Sequence, residues 1–365
     1  MKINLIFFLP NFCLGGAGNS IIKMCNKLNK KKYNIYLISI GKNYYKNSIK
    51  RKNIFFFEMN ISRTLFSYFE LRKIVRKIIS TNQAKNIFIS NIHYTNIISV
   101  LCLRKITYLK LILVERTSLS ELRIYRSIFD YIKNTLIKLL IKILYRFADK
   151  VISNSYAVGS DLKILTNKKV EVINPPSIEK IEKFKNKDFK KNLNILYVGR
   201  LSWEKGVNLI IKALPLLKFN NYKLWIVGIG SEYNFLKKLS TTLKLNNKVK
   251  FFGYKSNTSF YYKKANLFIN SSFFEGQPNA LIEAINFSLP VICSDSRGGN
   301  LDIVKNGKGG LLFKSGDFYD LSKKINFFYK NKHRLIKKIK YSRKFLNNYL
   351  EISSIKKYEK IFKEI

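Results

Sequence analysis

Short apolar runs recur along this chain, each followed by a longer stretch in which apolar and basic residues return with helical spacing. Runs that are apolar throughout fit strands buried on both faces of a parallel sheet, and the stretches between them fit the helices that cover it. In the first half the predicted strands are Ile3–Leu9, Ile35–Ile40, Ile54–Phe57, Ile87–Ser90, Leu111–Val114, Val151–Ser153 and Val170–Ile173. Asn174-Pro175-Pro176 and a lysine-rich, apolar-poor segment up to Asn192 then predict a linker. The second half restarts with Ile195–Val198, Leu224–Val227, Val249–Phe252, Leu267–Asn270, Val291–Ser294 and Leu311–Phe313, and Asp320 to Ile365 reads as helices rich in Lys and Tyr.

This alternation predicts an α/β protein of two doubly wound, Rossmann-like domains. Facing each other, such domains bring the carboxyl ends of both sheets to one cleft, where open α/β sheets bind ligands. The expected division is 1–178 for the first domain, 179–345 for the second, and 346–365 for a helical tail that packs back on the first. A chain of 365 residues with 47% hydrophobic and 14% aromatic content is long enough for two cores and excludes general disorder. Met1 to Leu9 is apolar enough for a signal peptide but lacks a small-residue cleavage site and runs through Pro10 into a glycine turn, so a buried first strand is expected.

No apolar run is long enough to cross a bilayer; Ile132 to Leu144 is interrupted by Lys133, Lys138 and Lys142. Between Tyr131 and Arg146, a stripe of Asn134, Lys138, Lys142 and Arg146 lies opposite Ile132, Leu136, Leu139, Leu140 and Ile143. That pattern predicts a helix with its apolar side on the sheet and its basic stripe in solvent, membrane contact being the other reading. Cys13, Cys25, Cys102 and Cys293 are scattered without metal or redox spacing and point to a reducing cytoplasm.

Lys and Arg number 68 against 22 Asp and Glu, a formal net charge of +46. The lysines are spread along the chain among Asn, Ile, Tyr and Phe, a mixture that an AT-rich genome also produces. Nucleic-acid binding would follow from charge alone, but no helix-turn-helix, zinc finger or aromatic RNA-binding signature gives it shape, so no nucleic acid is expected. Attraction to an anionic membrane surface uses the charge better, at about 1 kcal/mol per basic residue near the lipid.

The candidate chemistry centres on the stretch from Phe274 to Ala284. Gly276 and Pro278 break regular structure, Asn279 is a suitable N-cap, and the residues from Ala280 begin a buried helix. Glu275 then sits in a loop and Glu283 about one turn into the helix, beside a helix start suited to phosphate. Ionised carboxylates accept hydrogen bonds from sugar and ribose hydroxyls, so the pattern suits a nucleotide sugar; a capped helix with two incidental glutamates is the plainer alternative. Strand Ile195–Val198 ends in Gly199-Arg200-Leu201-Ser202-Trp203-Glu204-Lys205-Gly206, which delivers a guanidinium and an ammonium to the sheet edge. Together they could provide the fixed positive charge that a diphosphate leaving group requires, a solvated turn with two of many basic residues being the plainer alternative, and with no Asp-x-Asp pair in the chain a metal-held diphosphate has little support. Leu14-Gly15-Gly16-Ala17-Gly18 opens a helix expected to begin near Asn19, whose glycines permit close backbone approach to an anion or simply make the turn. Of the two histidines, His93 follows a strand end and is a candidate for a sugar hydroxyl or a satisfied loop residue, while His333 lies in a lysine-rich terminal helix.

Taken in order, Glu275-x7-Glu283, Gly199-Arg200 with Lys205-Gly206, the turn at Gly15-Gly16, and the downstream Pro290-Val291-Ile292, Gly298-Gly299 and Asp302 to Leu311 resemble the retaining glycosyltransferases of GT-B fold and family 4 type, the glycosyl transferases group 1. The resemblance covers nearly the whole chain. It implies that the first domain serves the acceptor side and the second binds the nucleotide sugar, with no metal and no cofactor besides that donor. Arg200 and Lys205 would neutralise the diphosphate, Glu283 would hold the ribose, and Glu275 and His93 would contact the donor sugar. Gly16 would approach the diphosphate through its backbone, and Asn279 and Leu281 would complete the donor site. Val114-Glu115-Arg116-Thr117 is similar to a segment of relatives that transfer N-acetylhexosamines or hexoses in bacterial surface-glycan assembly. Gly18-Asn19 stands where relatives often carry Glu-Arg, which leaves the acceptor side open, and Asp302 replaces a usual glutamate.

The implied activity is transfer from a UDP-sugar to a lipid-linked or surface-glycan acceptor in lipopolysaccharide, capsule or glycan biosynthesis, peripherally on the inner face of the cytoplasmic membrane. The alternatives are a UDP-GlcNAc epimerase-like enzyme of the same architecture, for which one cleft histidine is a poor acid/base set, and a basic nucleic-acid-binding protein.

Overall fold

The computed structural model describes residues 2–12, 16–42, 49, 53–80, 84–125, 127–186 and 193–365. The chain forms two units, Met1–Pro176 with Glu351–Ile365, and Ser177–Leu350. In the first, β1 (Ile3–Leu9), α1 (Gly16–Lys27), β2 (Tyr33–Ser39), β3 (Ile54–Glu58), α2 (Tyr68–Ser80), β4 (Lys85–Asn91), α3 (His93–Leu103), β5 (Leu109–Glu115), α4 (Ile128–Leu144), β6 (Lys150–Ser153), α5 (Tyr156–Thr166) and β7 (Val170–Val172) build a parallel sheet ordered β3-β2-β1-β4-β5-β6-β7. Alternate residues of β1 enter two cores: Leu5 and Phe7 pack with α1, while Ile6 and Phe8 face the layer of α2, α3 and α4. Both faces are buried, which is why the strand sequences are apolar without alternation.

The second unit continues with β8 (Leu193–Val198), α6 (Val207–Ala213), β9 (Tyr222–Val227), α7 (Tyr233–Thr242), β10 (Val249–Phe251), α8 (Ser259–Lys264), β11 (Leu267–Asn270), α9 (Asn279–Asn286), β12 (Val291–Ser294), α10 (Gly299–Ile303), β13 (Leu311–Phe313), α11 (Phe318–Lys330) and α12 (Lys332–Arg343). Its parallel sheet is ordered β10-β9-β8-β11-β12-β13. Each sheet therefore has one point where strand order reverses, β1 beside β4 and β8 beside β11. In open α/β sheets such reversal points are where loops leaving the carboxyl ends diverge and ligands bind.

The chain returns to the first unit as α13 (Glu351–Glu364), whose Ile355, Tyr358, Ile361 and Phe362 fill the core on the α1 side. At its start the nearly buried Glu351 carboxylate receives Lys27 at 2.8 Å and Lys23 at 3.1 Å, both from α1. Burial alone would raise the pKa of Glu351, but the Lys27 hydrogen bond and the Lys23 charge outweigh it and hold it below the ordinary value.

Three expectations change. Much of the predicted linker belongs to the second unit: the amides of Ser177 and Ile178 donate to Tyr349 O, Glu182 N to Asn286 Oδ1 and Lys185 N to Ser288 Oγ, while residues 187–192, where it was to end, lie outside the described residues. Helix α1 starts at Gly16, three residues before Asn19; Cys13, Leu14 and Gly15 are outside the described residues. In α4 the buried side is Asn134, Ile137, Ile141 and Leu144, so Ile132, Leu136, Leu139 and Ile143, expected against the sheet, are exposed. Asn134 can be buried there because its Nδ2 donates to Ile124 O at 3.1 Å.

A lowered carboxylate pKa contributes stability that is complete above the unfolded value and is lost as pH falls through the folded one. Glu351→Gln is therefore expected to cost about 1–2 kcal/mol at neutral pH and to flatten the loss of stability below about pH 4.3. Urea unfolding across pH 3–7 checks this, and an unchanged pH profile would show that the ion pair does not anchor α13.

Candidate functional site

The reversal point of the second sheet gathers three loops. After β8, the 3₁₀ turn Trp203–Lys205 ends at Gly206, whose φ of 60° is left-handed. A Cβ on Gly206 would collide with the carbonyl oxygen of Ser271, just beyond β11. Ser271 Oγ donates to Lys205 O at 2.9 Å, and Phe273 N to Glu204 O at 2.9 Å. Gly298, with φ 145°, bridges Glu275, and Gly299 N donates to Glu275 O at 3.3 Å. A Cβ on Gly298 would collide with that same oxygen. Only glycine allows such close backbones, so the loop carrying Glu275 is fixed from both sides.

Within this frame Lys205 Nζ donates to Glu275 Oε1 at 2.8 Å, and Ser272 Oγ donates to the same oxygen at 2.8 Å. Both charged side chains are largely but not wholly covered, at 19% and 13% exposed, so a ligand can still reach them. Arg200 is 63% exposed, and its Nη2 donates to Glu204 Oε1 at 2.8 Å. Burial would raise the Glu204 pKa, but the Ser202 hydroxyl, bonded at 2.6 Å, and the Lys205 and Arg200 charges lower it. Each of the two predicted diphosphate cations is thus paired with a carboxylate of its own unit.

Helix α9 begins one residue earlier than expected. Pro278 occupies the cap without a side-chain bond, and Asn279 is the first helical residue. Its Oδ1 accepts from Ser177 Oγ at 3.0 Å, and Gln277 Nε2 donates to the same hydroxyl at 3.0 Å. Glu283 is half-buried and lies beside Tyr262, whose pKa is held well above its ordinary value by burial and then by the Glu283 charge. Leu281 packs its side chain wholly inside the core.

Gly16 and His93 belong to the first unit, where each opens the helix that follows a strand of the reversal pair, β1 or β4. Gly16 is exposed, and its carbonyl accepts from Ser20 Oγ at 2.6 Å. His93 is only 1% exposed, and among the described residues neither ring nitrogen has a hydrogen-bond partner. Its Nδ1 lies 3.6 Å from Oε1 of Glu115, which is fully buried at the end of β5. Glu115 is held by Tyr145 Oη at 3.0 Å and by the amides of Arg116 at 3.1 Å and Thr117 at 3.3 Å, and Asn96 Nδ2 donates to Tyr145 Oη at 2.9 Å. Burial alone would lower the His93 pKa, but the neighbouring Glu115 carboxylate reverses this and raises it. Sequence reasoning noted Glu115 only for its resemblance; the available signal was that two strand ends carrying His93 and Glu115 become neighbours once β4 pairs with β5.

A raised histidine pKa contributes stability that is complete below the unfolded value, about 6.5, and is lost as pH rises through the folded one. In Glu115→Gln, burial is opposed only by the more distant Glu121 charge, and the His93 imidazole is expected to titrate lower than in the native protein. An NMR titration of the ring checks this; an unchanged midpoint would remove Glu115 as the cause.

The family profile of glycosyl transferases group 1 matches residues 178–345. An uncharacterized glycosyltransferase of Methanocaldococcus jannaschii is 30% identical over 307 residues, 78% of this chain and 73% of that protein. The GalNAc-alpha-(1->4)-GalNAc-alpha-(1->3)-diNAcBac-PP-undecaprenol alpha-1,4-N-acetyl-D-galactosaminyltransferase of Campylobacter jejuni is 28% identical over 340 residues, 89% of this chain and 88% of that one. Among solved structures, Anabaena HepE in complex with UDP-glucose superposes with a TM-score of 0.79 over 99% of this chain and 100% of that one, at 18% identity. With its two Rossmann-like units of the GT-B fold, the chain belongs to the glycosyl transferases group 1 family.

Proposed function

We propose that this protein is a metal-independent, retaining glycosyltransferase that moves a hexose or N-acetylhexosamine from a UDP-sugar to a lipid-linked or surface-glycan acceptor in bacterial lipopolysaccharide, capsule or glycan biosynthesis. The observation that carries the reading is the Lys205–Glu275 pair at the reversal of the second sheet, with Arg200 leaving the same strand. When a nucleotide sugar binds, the diphosphate replaces Glu275 as the partner of Lys205 and draws Arg200 from Glu204. The released Glu275 carboxylate then accepts hydrogen bonds from the donor sugar, and Glu283 from the ribose.

In the proposed step the bond from the anomeric carbon to the diphosphate oxygen breaks as the acceptor hydroxyl approaches from the same face. The leaving diphosphate takes the hydroxyl proton, and the new glycosidic bond keeps the original configuration. Lys205 and Arg200 stabilise charge that grows on the leaving group, where fixed cations contribute most. Asn279 orders the loop beside Glu275 through Ser177. Support for a UDP donor and a lipid-linked acceptor comes from relatives: the HepE structure holds UDP-glucose, and the Campylobacter enzyme is named for an undecaprenyl diphosphate glycan. With such an acceptor the enzyme would work at the inner face of the cytoplasmic membrane, a reading that the net charge of +46 supports.

Screening UDP-, GDP- and ADP-sugars by thermal shift is expected to single out UDP, and transfer to membrane-extracted lipid-linked acceptors is expected to survive EDTA. Lys205→Ala and Glu275→Gln are each expected to lower kcat by about 10²–10³, and Arg200→Ala to weaken UDP binding, all with the unfolding transition retained. Full turnover in Lys205→Ala, or activity lost with EDTA and restored by Mg²⁺, would contradict the mechanism.

A further inference from the structure

Among the described residues, one side of α4 packs against no other element. At about 100° per residue, Ile128, Ile132, Leu136, Leu139 and Ile143 fall within an arc of roughly 80°, and Phe129 borders it. These six side chains are 39–80% exposed, opposite the side on which Ile137, Ile141 and Leu144 enter the core. Single exposed apolar residues need no explanation, but a continuous stripe along a 17-residue helix does. Basic residues flank it on both sides: Lys133 on one, Lys138 and Lys142 on the other, with Arg146 beyond its end. Lys138 reaches the hydroxyl of Tyr125 at 3.0 Å, which draws a half-exposed aromatic ring to the same border. The layer repeats the pattern: Leu65 and Phe66, in the 3₁₀ turn that leads into α2, and Phe69, in its first turn, are 62–82% exposed, and α2 and α4 both pack on α3.

We propose that α4 lies in the surface of an anionic lipid bilayer, with this stripe among the acyl chains and its lysines at the headgroups. An apolar arc with basic borders is the pattern of a helix lying in the membrane interface, where lysine stems reach back to the phosphates. No helix among the described residues is long and apolar enough to cross a membrane, and the proposed contact does not call for one. A second copy of the chain fits this surface poorly, because it would bring two molecules of net charge +46 together, whereas an anionic surface is complementary to both the charge and the apolar arc. The choice of a bilayer deepens the proposed lipid-linked acceptor and rests on it in part, yet vesicle binding is measurable without catalysis.

The test is cosedimentation of the full chain with vesicles of phosphatidylglycerol and phosphatidylethanolamine, beside vesicles of phosphatidylcholine alone. The native protein is expected to bind the anionic vesicles. The exposed-face variant Ile132→Ser/Leu136→Ser/Leu139→Ser is expected to lose at least tenfold in partition at both low and high salt, while Lys138→Gln/Lys142→Gln loses chiefly at low salt. Phe129→Trp is expected to shift its emission to shorter wavelength on adding the vesicles. UDP binding by thermal shift should be unchanged in the serine variant, which shows that it folds and separates this outcome from failure of the donor site. Equal partition of the serine variant and the native chain would overturn the proposal. So would a native chain that ignores vesicles but forms a dimer, or retains a protein partner, through residues the serine variant removes.

Discussion

Two backbone approaches at the carboxyl edge of the second sheet govern the candidate site. Gly206 lets the loop after β8 touch Ser271, and Gly298 lets the loop after β12 touch Glu275. Any side chain at either position would push these loops apart, and the 2.8 Å contact between Lys205 and Glu275 depends on their spacing. Catalytic groups held by long, mobile side chains lose much of their advantage to disorder, so rigidity has to come from the main chain. Here it comes from positive-φ glycine at strand ends that the sheet has already placed side by side.

The same site shows how a strongly basic protein manages charge locally. Lys205 and Arg200 each face a carboxylate of their own unit, Glu275 and Glu204, so the site is internally neutralised before any ligand arrives. In the proposed donor complex, a diphosphate competes with those partners and the released acids accept from hydroxyl groups. In the first unit, the Glu115 carboxylate shares the buried end of β5 with His93 and is satisfied by Tyr145 and two amides. Its negative charge raises the pKa of a ring that burial alone would lower.

Much of this fold was legible in the sequence. All thirteen strands among the described residues were expected near their observed positions, because strands buried on both faces are apolar runs bounded by turn residues, a signal that needs no tertiary knowledge. The Lys205 and Glu275 loops were also readable, since glycine and proline mark where regular structure ends. What escaped was information that only packing supplies. Helix α4 carries apolar residues on two sides, and periodicity alone does not show which side meets the sheet; the core took Ile137 and Ile141 together with the polar Asn134, whose amide finds Ile124 O. The partnership of Glu115 with His93 required knowing that β4 and β5 are neighbours. Ser177 was assigned to a linker, yet it orders Gln277 and Asn279 across 100 or more residues of chain.

A crystal structure of the protein soaked with a UDP-sugar tests the central claim most directly. Diphosphate oxygens within hydrogen-bond distance of Lys205 Nζ and Arg200, with Glu275 turned from Lys205 to the sugar hydroxyls, is the predicted result. A diphosphate bound elsewhere, with the Lys205–Glu275 contact intact at 2.8 Å, would contradict it.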